Sequence, residues 1–193
     1  MLETLKHIDY KVFEYINQKW NVPALNEVFK FIREPFHLQI FYISLALLLI
    51  IKYRLKGFWL VLFTGATMGF SDLISSHFFK PYFHRLRPCV DGSWQCKIND
   101  LVGGSHGYSF TSSHAANNIS VCLFLAMIFL AVIGRKSYLF LLVPILVGYS
   151  QIYVGVHYPF DVLGGFITGA FCSVIMYWVY EKLMPENQNI KNS

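Results

Sequence analysis

Long apolar runs alternate with short polar segments along the chain. A helix needs about 20 mostly apolar residues to cross the hydrocarbon core of a bilayer. Five runs approach this length: residues 36–51, 58–79, 115–133, 138–156 and 162–180. The first run is short and gains a turn if residues 33–35 are added. The pattern predicts an all-α, polytopic membrane helical bundle with about five transmembrane helices.

The N-terminal segment has no continuous apolar core of the kind that a cleavable signal peptide contains. Its apolar residues recur with helical spacing, at Leu5, Ile8, Val12, Phe13 and Ile16. This stripe favours a helix that lies on the bilayer surface over an ordinary packed helix. Residues 23–32 form a second amphipathic segment. We therefore expect one domain, with an interfacial collar over residues 1–33, a transmembrane core over 36–180 and a polar tail over 185–193.

Composition supports the membrane class and argues against nucleic acid as a partner. Of the 193 residues, 55% are hydrophobic and 14% are charged, and the mean hydropathy is +0.44. The formal charge of +5 comes from basic residues at the ends of apolar runs. Such positions flank membrane spans and do not form a nucleic-acid footprint. The lipid bilayer is therefore the expected partner, and a homo-oligomer stays an open alternative.

Five crossings put two polar segments, residues 80–113 and 157–161, on the same face of the membrane. The other face holds the basic residues Lys52, Arg54, Lys56, Arg135, Lys136 and Lys182. The positive-inside rule assigns this basic face to the cytoplasm. We therefore expect a multi-pass protein of the cell inner (cytoplasmic) membrane, with a site that faces the periplasm or exterior. Cys89 and Cys96 lie close enough in sequence to form a disulfide in an oxidising compartment.

The polar segment after the second run contains Lys80 and Arg87 near its start. A lysine supplies a point charge and an arginine a planar fork, and together they suit a cluster of phosphate oxygens. The alternative is a juxtamembrane basic cluster that attracts anionic lipid head groups. Both interpretations place phosphate-binding side chains at the bilayer surface.

Ser112, Ser113 and His114 directly precede the third apolar run. A serine at this position is first of all a helix N-cap. The helix N-terminus that such a cap opens also binds anions, through free backbone N–H groups and the helix dipole. His114 would then be a proton donor beside a bound anion. The capping and functional interpretations are compatible.

His157 ends the fourth run, and Asp161 opens the fifth run four residues later. A carboxylate that accepts from one imidazole nitrogen fixes the tautomer and leaves the other nitrogen free as a nucleophile or base. A metal site would also use histidine and aspartate. However, no third and fourth ligand follow at tight spacing, and Lys80 and Arg87 would repel a cation. We therefore expect no metal and no cofactor.

Together the three segments resemble the signature motifs of the type 2 phosphatidate phosphatase and vanadium haloperoxidase superfamily. Those motifs run Lys-x6-Arg-Pro, Pro-Ser-Gly-His and Ser-Arg-x5-His-x3-Asp. The matching residues are Lys80, Arg87, Pro88, Ser112, His114, Ser150, His157 and Asp161. Motif order and spacing cover residues 80–161, and the helix pattern extends the resemblance over nearly the whole chain. The resemblance implies a membrane phosphatase.

Three positions depart from the family pattern. Thr111 and Ser113 replace proline and glycine in the second motif, which alters the turn but keeps both functional side chains. Gln151 stands where the family has an arginine that contributes to phosphate binding. The pocket therefore has one cation fewer and keeps the amide donors of Gln151. Arg85 and His84 are candidates to replace the missing charge.

The resemblance implies a metal-free displacement in two steps. His157, oriented by Asp161, attacks phosphorus and forms a phosphohistidine, while His114 protonates the leaving lipid oxygen. Water activated by His114 then releases phosphate. The residues expected to hold the phosphate oxygens are Lys80, Arg87, Ser112, Ser113 and Gln151.

A lipid phosphate at the level of the head groups is the implied substrate. Undecaprenyl diphosphate is the first choice, followed by phosphatidylglycerol phosphate, phosphatidate and a lipid A phosphate. The haloperoxidase activity of the superfamily fits poorly, because those members are typically soluble and larger. From a different class, the alternative is a catalytically weakened lipid-phosphate binder or transporter, with Gln151 as the mark of lost activity.

Overall fold

Eight α-helices make up most of the computed structural model, which describes residues 2–94, 98–104, 107–184 and 190. They are α1 (Leu2–Glu14), α2 (Asn26–Arg33), α3 (Pro35–Tyr53), α4 (Leu55–Asp72), α5 (Lys80–Phe83), α6 (Ser113–Ile133), α7 (Leu142–Tyr153) and α8 (Pro159–Leu183). Short helical segments extend α1, join α4 to α5 and join α6 to α7: Tyr15–Lys19 and Leu73–Phe79 are π-helical and Gly134–Leu141 is 3-10. No strand occurs within the described residues, and the predicted all-α class is confirmed.

Among the described residues, four helical stretches are long and apolar enough to cross a membrane: Pro35–Tyr53, Leu55–Val90, Ser113–Tyr153 and Pro159–Leu183. The third stretch covers two of the five predicted spans. It breaks at Gly134, whose φ is +58°, and α7 packs against α6 beyond the break. His157, which follows α7, returns to Ser109, which precedes α6. The two arms are therefore antiparallel, and the second arm combines a 3-10 segment with a short α7 of 12 residues.

The α6 helix lies at the centre of the bundle and packs against α4, α7 and α8. Glycines let α8 approach it closely near the α6 N-terminus. A Cβ at Gly165 would lie 2.6 Å from the carbonyl oxygen of Ser112, and one at Gly169 would lie 2.1 Å from that of Ala116. Any larger side chain would push the two helices apart. This contact fixes the start of α6 against the first turns of α8.

Only part of the predicted apolar stripe packs on the bundle. Phe13 of the stripe is buried together with the polar residues Asp9 and Asn17, whereas the stripe is exposed at Leu5, Ile8 and Val12. The Asn17 amide nitrogen donates to the carbonyl oxygen of Tyr153 at 2.8 Å. Polar anchors therefore attach α1 to the protein. The exposed stripe is the face that is free to meet lipid, so the helix combines the two alternatives that the sequence left open.

The basic turns lie at the opposite end of the bundle from His157 and Ser112. The rings of Tyr53, at the end of α3, and Phe129, near the end of α6, lie 6.0 Å apart. The α6 helix has 21 residues and therefore spans about 30 Å, the thickness of a bilayer core. Two predictions fall outside the described residues: the disulfide, because Cys96 is not described, and the polar tail, of which only Ile190 is described.

Candidate active site

His157 occupies the short connection between α7 and α8 and is 2% exposed. Its Nε2 lies 3.2 Å from Nη1 of Arg87, and its Nδ1 lies 3.4 Å from Oγ of Ser109. Burial lowers the pKa of His157 to about 4, and the charge of Arg87 adds to this effect, while Asp161 opposes it. The imidazole is therefore neutral at neutral pH. Because an arginine can only donate, Nε2 is the unprotonated nitrogen, and its lone pair accepts the hydrogen bond from Arg87.

Asp161 lies in the first turn of α8 and holds the imidazole through a serine. Its Oδ2 is 3.6 Å from Nδ1 of His157, which is longer than a hydrogen bond. The Ser109 hydroxyl lies between them and donates to that same oxygen. The backbone N–H of Tyr158 also donates to it at 2.8 Å. Asp161 thus orients His157 mainly through Ser109, which sequence analysis did not single out.

Arg85 bridges two buried carboxylates and does not face the phosphate pocket. Its Nη1 donates to Asp161 Oδ1 at 2.8 Å, and its Nη2 donates to Asp9 Oδ2 at 2.5 Å. The guanidinium carbon also lies 4.3 Å from the ring centroid of Tyr158. The guanidinium group of Arg85 therefore has a structural role as the partner of both carboxylates. The hypothesis that Arg85 replaces the cation missing at Gln151 is therefore wrong in this geometry.

Arg87 is held by the backbone around the nucleophile. Its Nε donates to the carbonyl oxygen of Gly107 at 3.3 Å, and its Nη1 donates to that of Val156 at 3.4 Å. Lys80, at the start of α5, is close enough for its charge to interact with Arg87 and with His157. An anion bound by these two cations would therefore lie beside Nε2 of His157.

The N-terminus of α6 approaches the same place. Ser112 is its N-cap, as the sequence indicated, with Oγ accepting from the Ala115 N–H at 3.4 Å. The Ser113 hydroxyl contacts those of Ser75 and Ser76, at 2.9 and 3.0 Å. The two serine side chains thus cap and anchor the helix. The dipole and N-terminal N–H groups of α6 remain the anion-binding feature at this end.

His114 and Gln151 are two further predicted site residues, and they have different surroundings. His114 lines a cavity of about 310 Å³ together with Asp72 and Asn117, and it is close enough to His157 for the charges of the two groups to interact. Gln151 is completely buried on α7, and within the described residues neither atom of its side-chain amide has a hydrogen-bond partner. Its backbone carbonyl oxygen accepts from the backbone N–H groups of Val156 and His157. Gln151 therefore supports the loop that carries His157.

This arrangement matches a known family over most of the chain. The profile of the PAP2 superfamily matches residues 57–185, which include every residue of the three motifs. The chain belongs to the PAP2 superfamily. The resemblance drawn from the motifs is thus confirmed, and the protein is a multi-pass membrane phosphatase of this family.

Relatives of this PAP2 protein are named for several lipid substrates. The lipid A 4'-phosphatase of Bacteroides thetaiotaomicron is 28% identical over 199 residues, which cover 98% of this chain and 84% of the relative. The undecaprenyl-diphosphatase BcrC of Bacillus subtilis is 27% identical over 126 residues, covering 65% and 60% of the two chains. The crystal structure of a transmembrane PAP2 type phosphatidylglycerolphosphate phosphatase from Bacillus subtilis superposes with a TM-score of 0.63 at 23% identity, covering 96% of this chain and 89% of that one. That structure is similar in fold.

In this PAP2 protein the structure brings the predicted histidines, Asp161 and Arg87 together, and the role of each predicted site residue remains a prediction. Sequence analysis missed two groups at the site: Ser109 and Asp9. Ser109 had a weak signal, because it lies just before the second motif. Asp9 lies in the N-terminal collar, far from any motif. Among the described residues, no group of three or more His, Cys, Asp or Glu side chains is placed to hold a metal.

Proposed function

We propose that this protein hydrolyses a lipid phosphate without a metal, with His157 as the nucleophile. The observation that carries the proposal is the distance of 3.2 Å between Nε2 of His157 and a guanidinium nitrogen of Arg87, from which we infer that Nε2 is the unprotonated nitrogen. A phosphate oxygen bound by Arg87 places phosphorus next to that electron pair. Burial keeps the pKa of His157 near 4, so the nucleophile needs no deprotonation at neutral pH.

The reaction proceeds in two displacements. In the first, Nε2 of His157 forms a bond to phosphorus, the bond from phosphorus to the lipid oxygen breaks, and His114 gives its proton to that oxygen. In the second, His114 takes a proton from water, and the resulting hydroxide attacks phosphorus and releases phosphate from His157. Lys80, Arg87 and the α6 N-terminus stabilise the negative oxygens throughout. Asp161 keeps the imidazole in the reactive tautomer through Ser109.

For the substrate, we favour the phosphate monoester of a lipid A-type glycolipid. The lipid A 4'-phosphatase of Bacteroides thetaiotaomicron aligns along 98% of this chain, including the N-terminal collar. The alignment with undecaprenyl-diphosphatase BcrC covers 65%. Undecaprenyl diphosphate, which sequence analysis placed first, is therefore the second candidate. Both lipids present phosphate at the head-group level, which suits a site at the ends of the spanning helices.

Purified protein should release phosphate from lipid A in EDTA, and faster than from undecaprenyl diphosphate or phosphatidylglycerol phosphate. Orthovanadate should inhibit the reaction, because it occupies a phosphate pocket as a trigonal-bipyramidal mimic. Phosphate release from a lipid panel, with the His157→Ala variant as the blank, measures both effects. Activity that disappears in EDTA and returns with zinc or magnesium would contradict the mechanism. Lipid binding without phosphate release would favour the binder or transporter.

We also propose that the site faces the periplasm or exterior, because the basic turns lie at the other end of the bundle. This orientation is testable in a chain whose four native cysteines are replaced by alanine. A Tyr108→Cys variant, near the site, should react with a membrane-impermeant thiol reagent in cells whose outer membrane has been permeabilised and whose inner membrane is intact. A Lys136→Cys variant should react only after the inner membrane is disrupted. The reverse labelling pattern would reverse the orientation.

A further inference from the structure

Arg33 ends α2, outside the residues that the family profile matches, and its surroundings are unusual for an arginine at a helix end. Its Nε is buried and has no hydrogen-bond partner within the described part of the chain. Buried donors are nearly always paired in proteins, and an unpaired one on a charged group is costly. An anionic ligand would satisfy such a donor.

The neighbours of Arg33 place it between α7 and His114. Ile32 lines a cavity together with Val147, which lies one turn before Gln151 on the same face of α7. Pro35 lines a second cavity together with Ser113 and His114. The junction of α2 and α3 therefore spans the gap between the Gln151 face of α7 and the start of α6. Arg33 lies within that junction.

The charges around Arg33 favour a bound anion. Its positive charge acts on His114 and on Arg87. The carboxylates that act on it in turn are Glu34 and Asp100. Asp100 accepts hydrogen bonds from the N–H groups of Val102 and Gly104, so part of its charge is already compensated. Two guanidinium groups that repel each other beside a histidine are stabilised when a phosphate dianion lies between them.

We propose that Arg33 binds a phosphate oxygen in the active site and supplies the positive charge that the uncharged Gln151 does not. Arg85 is not available for this role, because it is committed to Asp161 and Asp9. With Arg33 the pocket contains three cations, the other two being Lys80 and Arg87. The proposal deepens the proposed phosphatase function and rests on it for the identity of the anion.

The test is orthovanadate binding, measured by calorimetry on the purified protein, which does not require turnover. Arg33→Ala should weaken vanadate binding about 10- to 100-fold, the range for one charge-assisted contact. Arg33→Lys should recover most of the loss, because it restores the charge. Lys30→Ala is the matched control on the same helix, since Lys30 pairs with Glu27, and it should bind vanadate as the wild type does. Adding Gln151→Arg to Arg33→Ala should also restore binding.

Vanadate affinity in folded Arg33→Ala within about twofold of wild type would overturn the inference. If the alanine variant does not fold, Arg33→Gln, which keeps a long polar side chain, decides the question in the same way. The two proposals can fail separately. If vanadate binding is lost in Arg33→Ala but the wild-type protein releases phosphate from no lipid, this inference is supported and the proposed function is refuted. If replacing Arg33 changes neither phosphate release nor vanadate binding, the inference is refuted and the proposed function stands.

Discussion

Replacing His157 by alanine should lower the rate of phosphate release on the order of 10⁴-fold or more, because the electron pair that attacks phosphorus is removed. The measurement is kcat with a saturating lipid phosphate. The matched control is His7→Asn. His7 is an exposed histidine of α1 to which the mechanism assigns no role. A His157→Ala rate within about tenfold of wild type would remove His157 from the mechanism.

The pH profile tests the same assignment through a different observable. Burial and Arg87 lower the pKa of His157 to about 4. The nucleophile is thus deprotonated above this pH and becomes protonated below it. For the free enzyme, kcat/KM should fall on the acidic side only as the pH approaches 4. If kcat/KM instead falls near pH 6.5, and still does so when His157 is replaced, the titrating group is not His157.

The sequence predicted that the motif residues would lie near one another because they flank the ends of helices. Apolar runs determine where helices end, and polar residues at those ends must meet at one surface of a bundle. His157 and Asp161 were paired on this ground, and the structure places them at the same site. The bridging role of Ser109 depends on a separation of 3.6 Å between Nδ1 and Oδ2. No spacing rule predicts a distance of that kind.

The N-terminal collar shows where sequence analysis reached its limit. A helical stripe predicts that a face is apolar, but a membrane protein can turn that face either to lipid or to its own core. Here Leu5 and Ile8 are exposed, and Asp9 on the same helix is buried against the site. The sequence does not show that Asp9 pairs with the distant Arg85, so Asp9 is expected to be a solvent-exposed charge. Arg33 was assigned to the collar for the same reason.

The number of spans illustrates a second limit. Residues 138–156 have the composition of a transmembrane helix, but the chain forms a 3-10 segment followed by an α7 of 12 residues. Composition reports how apolar a segment is, and it does not report the rise per residue, which is greater in a 3-10 helix. The segment still carries the chain back to the site, as the parity argument required.

The position of Arg85 between Asp9 and Asp161 predicts the second largest effect. Arg85→Met keeps most of the side-chain volume and removes the charge that two buried carboxylates share. Breaking a buried ion pair in this way costs about 3 to 5 kcal/mol of stability. It should also misorient His157, because Asp161 loses a hydrogen bond that fixes its carboxylate. We expect a lower unfolding temperature in detergent and a rate of phosphate release reduced by about 10²-fold or more.

The same geometry provides the control and the decisive comparison. Lys11→Met removes an exposed cation from α1 and should change neither stability nor rate. Adding Asp9→Asn to Arg85→Met removes one of the two orphaned charges, so part of the unfolding temperature should return. The rate should recover less, because Asp161 still lacks its partner. Arg85→Met could instead unfold at the wild-type temperature and retain full activity. In that case the contacts of Arg85 contribute little to the free energy of unfolding, and α1 does not influence the nucleophile.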